Sequence, residues 1–312
     1  MDKILGIETS CDETAAAVIT EDIKVLSNVV LSQDKIHAPF GGIVPELASR
    51  QHILSISYVV EEALQRAKIS LKEVDVFSVT QGPGLVGSLL VGLSFAKAFS
   101  YYFNKLLIPV DHLQSHIQAA FIENREILFP SLALLVSGGH TSLYFLPRKL
   151  EYNLLGKTRD DAAGEALDKV AKFLELGYPG GPVIEKLASG GDPEAFHFSL
   201  PKMSDNSLDF SFSGFKTAAL QHVKKSRLKK EDRRCADFVA SFQMAIVQAL
   251  ISQTARAVKE LKPRSLILCG GVARNKLLRN EFISLAESQG LLAAIPSAEL
   301  CTDNAAMGAA LA

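Results

Sequence analysis

Lys3-Ile-Leu-Gly-Ile7, Thr14-Ala-Ala-Ala-Val-Ile-Thr20 and Lys24-Val-Leu-Ser-Asn-Val-Val-Leu31 decide the fold. Each is a short apolar run, and turn-forming polar residues, Thr9–Glu13 and then Glu21-Asp22, separate them. That pattern predicts an antiparallel meander of three strands. Working outward, Pro45 opens an amphipathic helix to about Lys68, with Leu47, Ile53, Ile56, Val60 and Leu64 at helical spacing. Strand Val74–Thr80, helix Leu85–Tyr102, strand Leu106–Val110 and a helix from about Leu113 to Glu123 follow. After Pro130 the plan restarts: strands Leu132–Val136, Thr141–Leu146 and Tyr152–Gly156, then helices, the last a long one over Asp237–Leu261. Strand Ser265–Cys269, helix Lys276–Gln289 and strand Leu292–Ile295 close it. A β-β-β-α-β-α plan run twice predicts two related α/β lobes facing each other across a cleft. Residues 180–237, polar and rich in Gly, Pro and Ser, read as an insertion in the second lobe.

The chain's 312 residues exceed what a single core usually organises, which agrees with two domains. Hydrophobic residues make up 48% and charged residues 21%, so there is ample core. A net charge of −1 excludes a globally basic nucleic-acid binder; any such partner must meet a local patch. The densest positive run is Lys224-Lys-Ser-Arg-Leu-Lys-Lys-Glu-Asp-Arg-Arg234, either a solvated helix end or a phosphate-backbone contact. Four scattered cysteines form no C-x-x-C pair, which fits a reducing compartment. The N-terminus lacks the features of a signal peptide. The apolar stretch Gly84–Phe103 carries three glycines and Lys97 and reads as a buried helix, not a bilayer span.

Chemistry concentrates at a few places. His112 and His116 stand four apart on a predicted helix, so both imidazoles share one face and can close on one metal ion. Leu113 occupies the place where a metalloprotease helix carries its general-base glutamate, which argues against zincin-type proteolysis. Three glycine-rich corners, Gln81-Gly-Pro-Gly84, Val136-Ser-Gly-Gly-His140 and Cys269-Gly-Gly-Val-Ala-Arg-Asn275, free backbone N–H groups to cradle phosphate. Asn275 also stands where it can cap the helix beginning at Lys276. Asp12 and Glu13 occupy the first hairpin, as turn residues or as acid–base groups.

Gly6-Ile-Glu-Thr-Ser-Cys-Asp-Glu-Thr14, Gly41–His52, Gly82–Leu89, His112–His116, Leu135–Thr141, Asp160–Lys169, Tyr178–Pro182, Phe210–Ala218, Gly270–Asn275 and Cys301–Met307 occur in uninterrupted order. Together they resemble the tRNA threonylcarbamoyltransferases of the TsaD type, in the actin, sugar-kinase and Hsp70 fold group. The resemblance implies two ribonuclease-H-like lobes around a central cleft. The first lobe would span residues 1–110 with the C-terminal helix 303–312 returning to it, and the second residues 111–302. Members run further past the Thr-Asp-Asn helix than Ala312, which implies a short last helix.

The same resemblance implies that threonylcarbamoyl-AMP donates its acyl group to the exocyclic amine of the adenosine 3′ of the anticodon. The tRNAs concerned read codons beginning with A, and AMP is released. It adds Asp303 to His112 and His116 as ligands of one divalent metal, Fe(2+) or Zn(2+). Substrate contacts would come from Leu135, Val136, Ser137, Gly138 and Gly139, with Asp168, Gly181, Glu185 and Asn275, and Lys216 would steady a phosphate. Asp12 and Glu13 stand where relatives of the fold place a phosphate-facing acid. Expected partners, in the cytoplasm and without a membrane, are tRNA, an inactive paralogue of the same fold and a small P-loop ATPase. Two competing readings remain at this stage: an ATP-dependent small-molecule kinase of the same fold, and a nucleotide-switched binding module.

Overall fold

The computed structural model describes residues 2–201, 203–226, 228–230 and 232–312, which form two compact α/β units. One comprises the chain up to Arg125 together with Pro296–Ala312; the other is Glu126–Ile295.

The first unit opens with β1 (Lys3–Glu8), β2 (Glu13–Thr20) and β3 (Val25–Ser32), the expected meander. Leu5 faces Val18 and Ala16 faces Val29 across antiparallel ladders. The short α1 (Asp34–His37) and long α2 (Pro45–Ala67) lead to β4 (Val76–Gly82), α3 (Val86–Phe103), β5 (Leu106–Asp111) and α4 (His112–Glu123). β4 and β5 join parallel, giving the order β3-β2-β1-β4-β5.

The second unit repeats the plan. β6 (Ser131–Val136), β7 (Thr141–Leu146) and β8 (Asn153–Lys157) form the meander, followed by α5 (Ala163–Phe173), α6 (Gly180–Ala188), α7 (Ser213–Ser226) and α8 (Arg233–Leu261). β9 (Ser265–Cys269), α9 (Lys276–Ser288) and β10 (Leu292–Ala294) complete a sheet ordered β10-β9-β6-β7-β8, the same topology read from its other edge. The expected insertion holds α6, α7 and the start of α8, and it touches the meander where Phe210 bridges Thr158. The chain then re-enters the first unit through α10 (Ala298–Cys301) and α11 (Ala305–Leu311).

Strand alternation divides the first unit's core between two faces. Leu5, Val18 and Phe77 pack with Ile56 and Val60 of α2 and Ala96 of α3. Ala15, Ala17 and Ile19 pack with Ala119 of α4 and with Ala305, Met307 and Ala309 of α11. Contact with α11 keeps α4 in the first unit, so the division falls at Arg125 and not near residue 110.

Two helices differ from expectation. The buried row of α2 is Ala48, His52, Ile56 and Val60, whereas Ile53 is 64% exposed. His52 takes a core position because its ring is bonded on both sides, as described below. On α3 the buried residues are Ser88, Gly92 and Ala96, while Val86, Leu90, Tyr101 and Tyr102 face outward. Small residues four apart let that helix sit close to β1, with Gly92 directly over Thr9, while Phe95, Phe99 and Phe103 pack half-buried against the core. By length and composition α3 and α8 could each cross a membrane, but α8 is mostly buried as a core helix.

Candidate metal centre and substrate loops

β5 runs straight into α4, and Asp111 makes the junction. Its Oδ1 accepts hydrogen bonds from the backbone N–H of Leu113 and Gln114, both at 2.9 Å, a side-chain N-cap. His112 thereby becomes the first residue of the helix and His116 lies one turn on. Their rings stand edge to face, centroids 4.7 Å apart.

Asp303 reaches them from the turn before α11. Asn304 pins that turn: its Oδ1 accepts from Met307 N–H at 3.1 Å, and its Nδ2 donates to the carbonyls of Leu300 and Thr302. At Gly6 an added Cβ would lie 2.5 Å from Ala305 O and 2.9 Å from Ala309 Cβ, so only glycine lets α11 rest on β1. Asp303 Oδ1 is then 3.0 Å from His116 Nε2 and 3.8 Å from His112 Nε2. One ligand atom from each residue lies within 4.8 Å of the others.

These atoms suit a cation. His116 is fully buried and neither ring nitrogen has a hydrogen-bond partner among the described residues, although Nε2 is so close to a carboxylate. An unsatisfied imidazole in the core is costly, and a metal on Nε2 would satisfy that nitrogen. Two imidazoles and one carboxylate make a donor set suited to a transition metal with coordination positions left open.

Behind His112 lies a residue that the sequence reading did not single out. Glu8, buried at the end of β1, approaches His112 Nδ1 at 3.3 Å, alongside Ser10 Oγ at 3.2 Å. The Glu8 carboxylate is itself held by Ser10 N–H and Thr80 Oγ1, each at 2.5 Å. Burial pushes Glu8 up, but the His112 charge and these hydrogen bonds win and hold it below the usual carboxylate range. Burial likewise pulls His112 down, and the carboxylates of Asp303 and Glu8 override it, raising the imidazole to about 9. A carboxylate on Nδ1 fixes the proton there and leaves Nε2 to face the ligand cluster, the usual outer-shell arrangement of metal-bound histidine. Glu8 falls inside a quoted stretch of sequence, but no local spacing marks it as facing a histidine from another element.

Glu13 begins β2 and Asp12 immediately precedes it. Burial raises the Asp12 carboxyl, opposed by its hydrogen bond with Glu13, and Asp303 adds to the rise. Burial, then Asp303 and Asp12, pushes Glu13 well above the ordinary range. Their backbone is anchored from behind. His52 Nε2 donates to Cys11 O at 3.0 Å, Thr14 Oγ1 meets His52 Nδ1 at 2.8 Å, and Gln33 N–H donates to Asp12 O at 3.0 Å.

In the second unit, β6 ends at Val136 and turns through Ser137, Gly138 and Gly139. Ser137 closes the turn, its N–H donating to His140 O at 2.7 Å and its Oγ accepting from His140 N–H at 3.1 Å. Gly270 has φ +91°, and a Cβ there would come within 2.4 Å of Val136 O, so the third glycine corner packs directly against the end of β6. Leu135 and Val136 are wholly buried strand residues, which limits them to backbone contacts with a ligand.

The remaining expected substrate residues organise helix starts. Asp168 Oδ1 accepts from Gly180 N–H at 2.7 Å, joining α5 to α6, and Gly181 lies in the first turn of α6 with open space around it. Asn275 caps α9, its Oδ1 accepting from Leu278 N–H at 3.0 Å, and its Nδ2 donates to Gln243 Oε1 at 3.0 Å. Glu185 Oε1 accepts from Lys276 N–H at 2.8 Å. Of these residues Glu185 lines a cavity of about 640 Å³, together with Lys186, Gln243, Met244, Lys276 and Leu277. That volume falls in the range of small-molecule sites. Lys216 is engaged elsewhere, its Nζ 2.5 Å from Asp161.

Comparison with known proteins bears on what these features do. The model of the family described as "tRNA N6-adenosine threonylcarbamoyltransferase" matches residues 24–310. Proteins of that name from Geotalea uraniireducens and Desulfitobacterium hafniense are 53% and 51% identical over 304 residues; the alignments cover 97% of this chain and 88% and 89% of theirs. In three dimensions the chain is similar to component A of (R)-2-hydroxyglutaryl-CoA dehydratase from Acidaminococcus fermentans, at a TM-score of 0.57 and 15% identity, covering 100% of this chain and 97% of that one. It is also similar to HypF of T. kodakarensis, at a TM-score of 0.62 and 13% identity over 99% of this chain and 46% of that one. Those likenesses bear on the fold alone, which is of the actin, sugar-kinase and Hsp70 type. With the family model covering most of its length and relatives at half identity over nearly all of it, the chain belongs to the tRNA N6-adenosine threonylcarbamoyltransferases.

Proposed function

We propose that this tRNA-modifying enzyme takes its acyl group from threonylcarbamoyl-AMP and works with His112, His116 and Asp303 around one divalent transition metal, iron(II) or zinc. The observation that carries the reading is the convergence of those three donors, one of them a buried imidazole with no hydrogen-bond partner among the described residues. When bound, the metal would supply Lewis-acid polarisation of an oxygen. Glu8 holds His112 in the tautomer that presents Nε2.

The amine nitrogen of the target adenosine attacks the carbonyl carbon of the mixed anhydride, the bond from that carbon to the phosphate oxygen breaks, and AMP leaves with the electron pair. The amine proton goes to the Asp12 carboxylate, whose raised affinity for protons suits a base. Backbone N–H groups of Gly138 and Gly139 support the acyl and phosphate oxygens. The cavity beside Glu185 accepts the nucleoside, and Asp168, Gly181 and Asn275 hold the helix starts that shape its surroundings. Orientation of a substrate that already carries a good leaving group supplies much of the rate.

Partners follow from the resemblance: an inactive paralogue of the same fold and a small P-loop ATPase, in the cytoplasm. The helix α4 is largely buried and offers the paralogue little surface. The uncovered apolar side chains Leu54, Tyr58, Val86, Leu90 and Tyr101 on α2 and α3 make the better face for it.

The test combines purified chain, tRNA lacking the modification, threonine, bicarbonate, ATP and the companion proteins. Nucleosides are read by mass spectrometry and metals by elemental analysis. A parallel reaction supplies preformed threonylcarbamoyl-AMP to the chain and its paralogue. Threonylcarbamoyladenosine in both reactions is expected; its absence from the second would reject the donor.

A further inference from the structure

The junction between α7 and α8 carries a density of positive charge that the rest of this nearly neutral molecule lacks. Lys224, Lys225, Lys229, Lys230, Arg233 and Arg234 are all exposed, with Asp232 the acidic residue described among them; Arg227 and Glu231 of the same run lie outside the described residues. Lys225, Lys229 and Arg233 make no ion pair among the described residues. Helix stability does not explain the arrangement. Arg233 and Arg234 occupy the first turn of a 29-residue helix, whose dipole disfavours cations, and no acidic residue in that turn offsets them.

Behind the charges lies an aromatic wall. The His222 ring is edge-on to Phe196 at 4.7 Å and stacks on Phe238 at 5.3 Å with an interplanar angle of 17°. The Arg234 guanidinium lies 5.3 Å from the Phe196 centroid. Burial, with Arg234 and Lys225 nearby, lowers His222 and keeps its ring neutral at physiological pH. Phe196, His222, Leu228, Asp232, Arg233 and Arg234 enclose much of a cavity of about 260 Å³. That is below the usual size of a whole-ligand pocket, about 300–1,000 Å³, and suits one planar base. Flat rings and a guanidinium beside unpaired cations are what a flexible, unstacked stretch of RNA requires.

We propose that the α7–α8 corner grips the tRNA substrate, Lys225, Lys229 and Arg233 meeting backbone phosphates while one unpaired base stacks in the cavity beside His222 and Arg234. The proposal rests on the tRNA substrate of the family and is independent of the acyl donor and of the metal.

Binding of unmodified tRNA to the full chain, followed by fluorescence anisotropy across about 50–200 mM salt, tests it without requiring turnover. Replacing Lys225, Lys229 and Arg233 together by alanine should weaken binding at least tenfold at the low-salt end. It should also cut the log–log salt slope by about two to three, near one for each phosphate no longer neutralised. Thermal midpoint and metal content should stay as in the parent protein, since all three side chains are exposed. His222→Ala should weaken binding severalfold and leave the salt slope unchanged, because stacking releases no counterions. An unaltered slope in the triple variant overturns the phosphate contacts, and unaltered affinity in His222→Ala overturns the stacked base. A triple variant that binds tRNA normally but no longer binds a companion protein overturns the proposal in favour of a protein interface. A parent chain that binds tRNA in this way yet transfers nothing counts against the proposed chemistry and leaves this surface standing.

Discussion

At the residue scale, buried charge is tolerated where it is matched. Glu8, His112 and Asp303 form a carboxylate–imidazole–carboxylate row in which each charge offsets the burial of its neighbour. Removing one member leaves the others uncompensated. His116→Ala takes away one of the three candidate ligands and should abolish metal content and transfer together; full activity in metal-stripped protein would reject the role. Glu8→Gln keeps the shape but removes the charge behind His112, and zinc affinity by calorimetry should fall about 10–100-fold. An unchanged affinity would show that Glu8 serves the fold alone. Asp161 offers a pH test outside the centre. Burial raises its carboxyl, but Lys169 at 2.7 Å and Lys216 at 2.5 Å outweigh that and lower it. A depressed carboxylate stabilises the fold above its unfolded pKa, about 3.9, and the stabilisation fades as pH falls through the lower folded value. Asp161→Asn should melt earlier than the parent at pH 7, with the gap closing below about pH 4. A gap independent of pH would point to lost packing instead.

At the element scale, α11 is the part on which the candidate centre depends. It is short, so its position comes from contacts and not from its own helical stability. Three features hold it: the Asn304 cap, Ser78 Oγ donating to Gly308 O at 3.0 Å, and the bare backbone of Gly6 beneath it. Gly6→Ala forces a methyl group against Ala305 and Ala309. The variant should lose about 1–3 kcal/mol of stability, measured by denaturant unfolding, and should bind metal more weakly because Asp303 moves with the helix. Normal metal affinity in a destabilised variant would separate the two effects. Periodicity made most elements legible: alternation marked the meander strands, and Pro45 marked the start of α2. It misjudged faces where a polar residue had a partner elsewhere. His52 displaced Ile53 from the expected buried row because Thr14 and Cys11 satisfy its ring. On α3 the small residues lie inside and the tyrosines outside, which composition alone would reverse.

At the scale of the whole molecule, one topology appears twice, and the two copies carry different chemistry. All three candidate metal ligands belong to the first unit; the glycine turn and the cavity beside Glu185 belong to the second. A ligand stabilises the part of a protein that it binds, by an amount set by its concentration over its dissociation constant. Chelation should therefore speed amide exchange in β1, α4 and α11 while β6, β9 and α9 exchange at their former rates. Equal acceleration in both units would mean that metal loss is felt globally, against a site confined to the first.

The sequence by itself determined the two strand meanders, the glycine corners, the histidine pair on one helix face and, through its ordered motifs, the family. These depend on neighbours within a turn or a strand, whose geometry repeats every 3.6 or 2 residues. Only the tertiary structure decided that Glu8 stands behind His112, that α3 turns Val86, Leu90, Tyr101 and Tyr102 outward, and that Glu185 meets the first N–H of α9. Those facts depend on which distant backbone comes within hydrogen-bond reach, and no local period encodes that meeting.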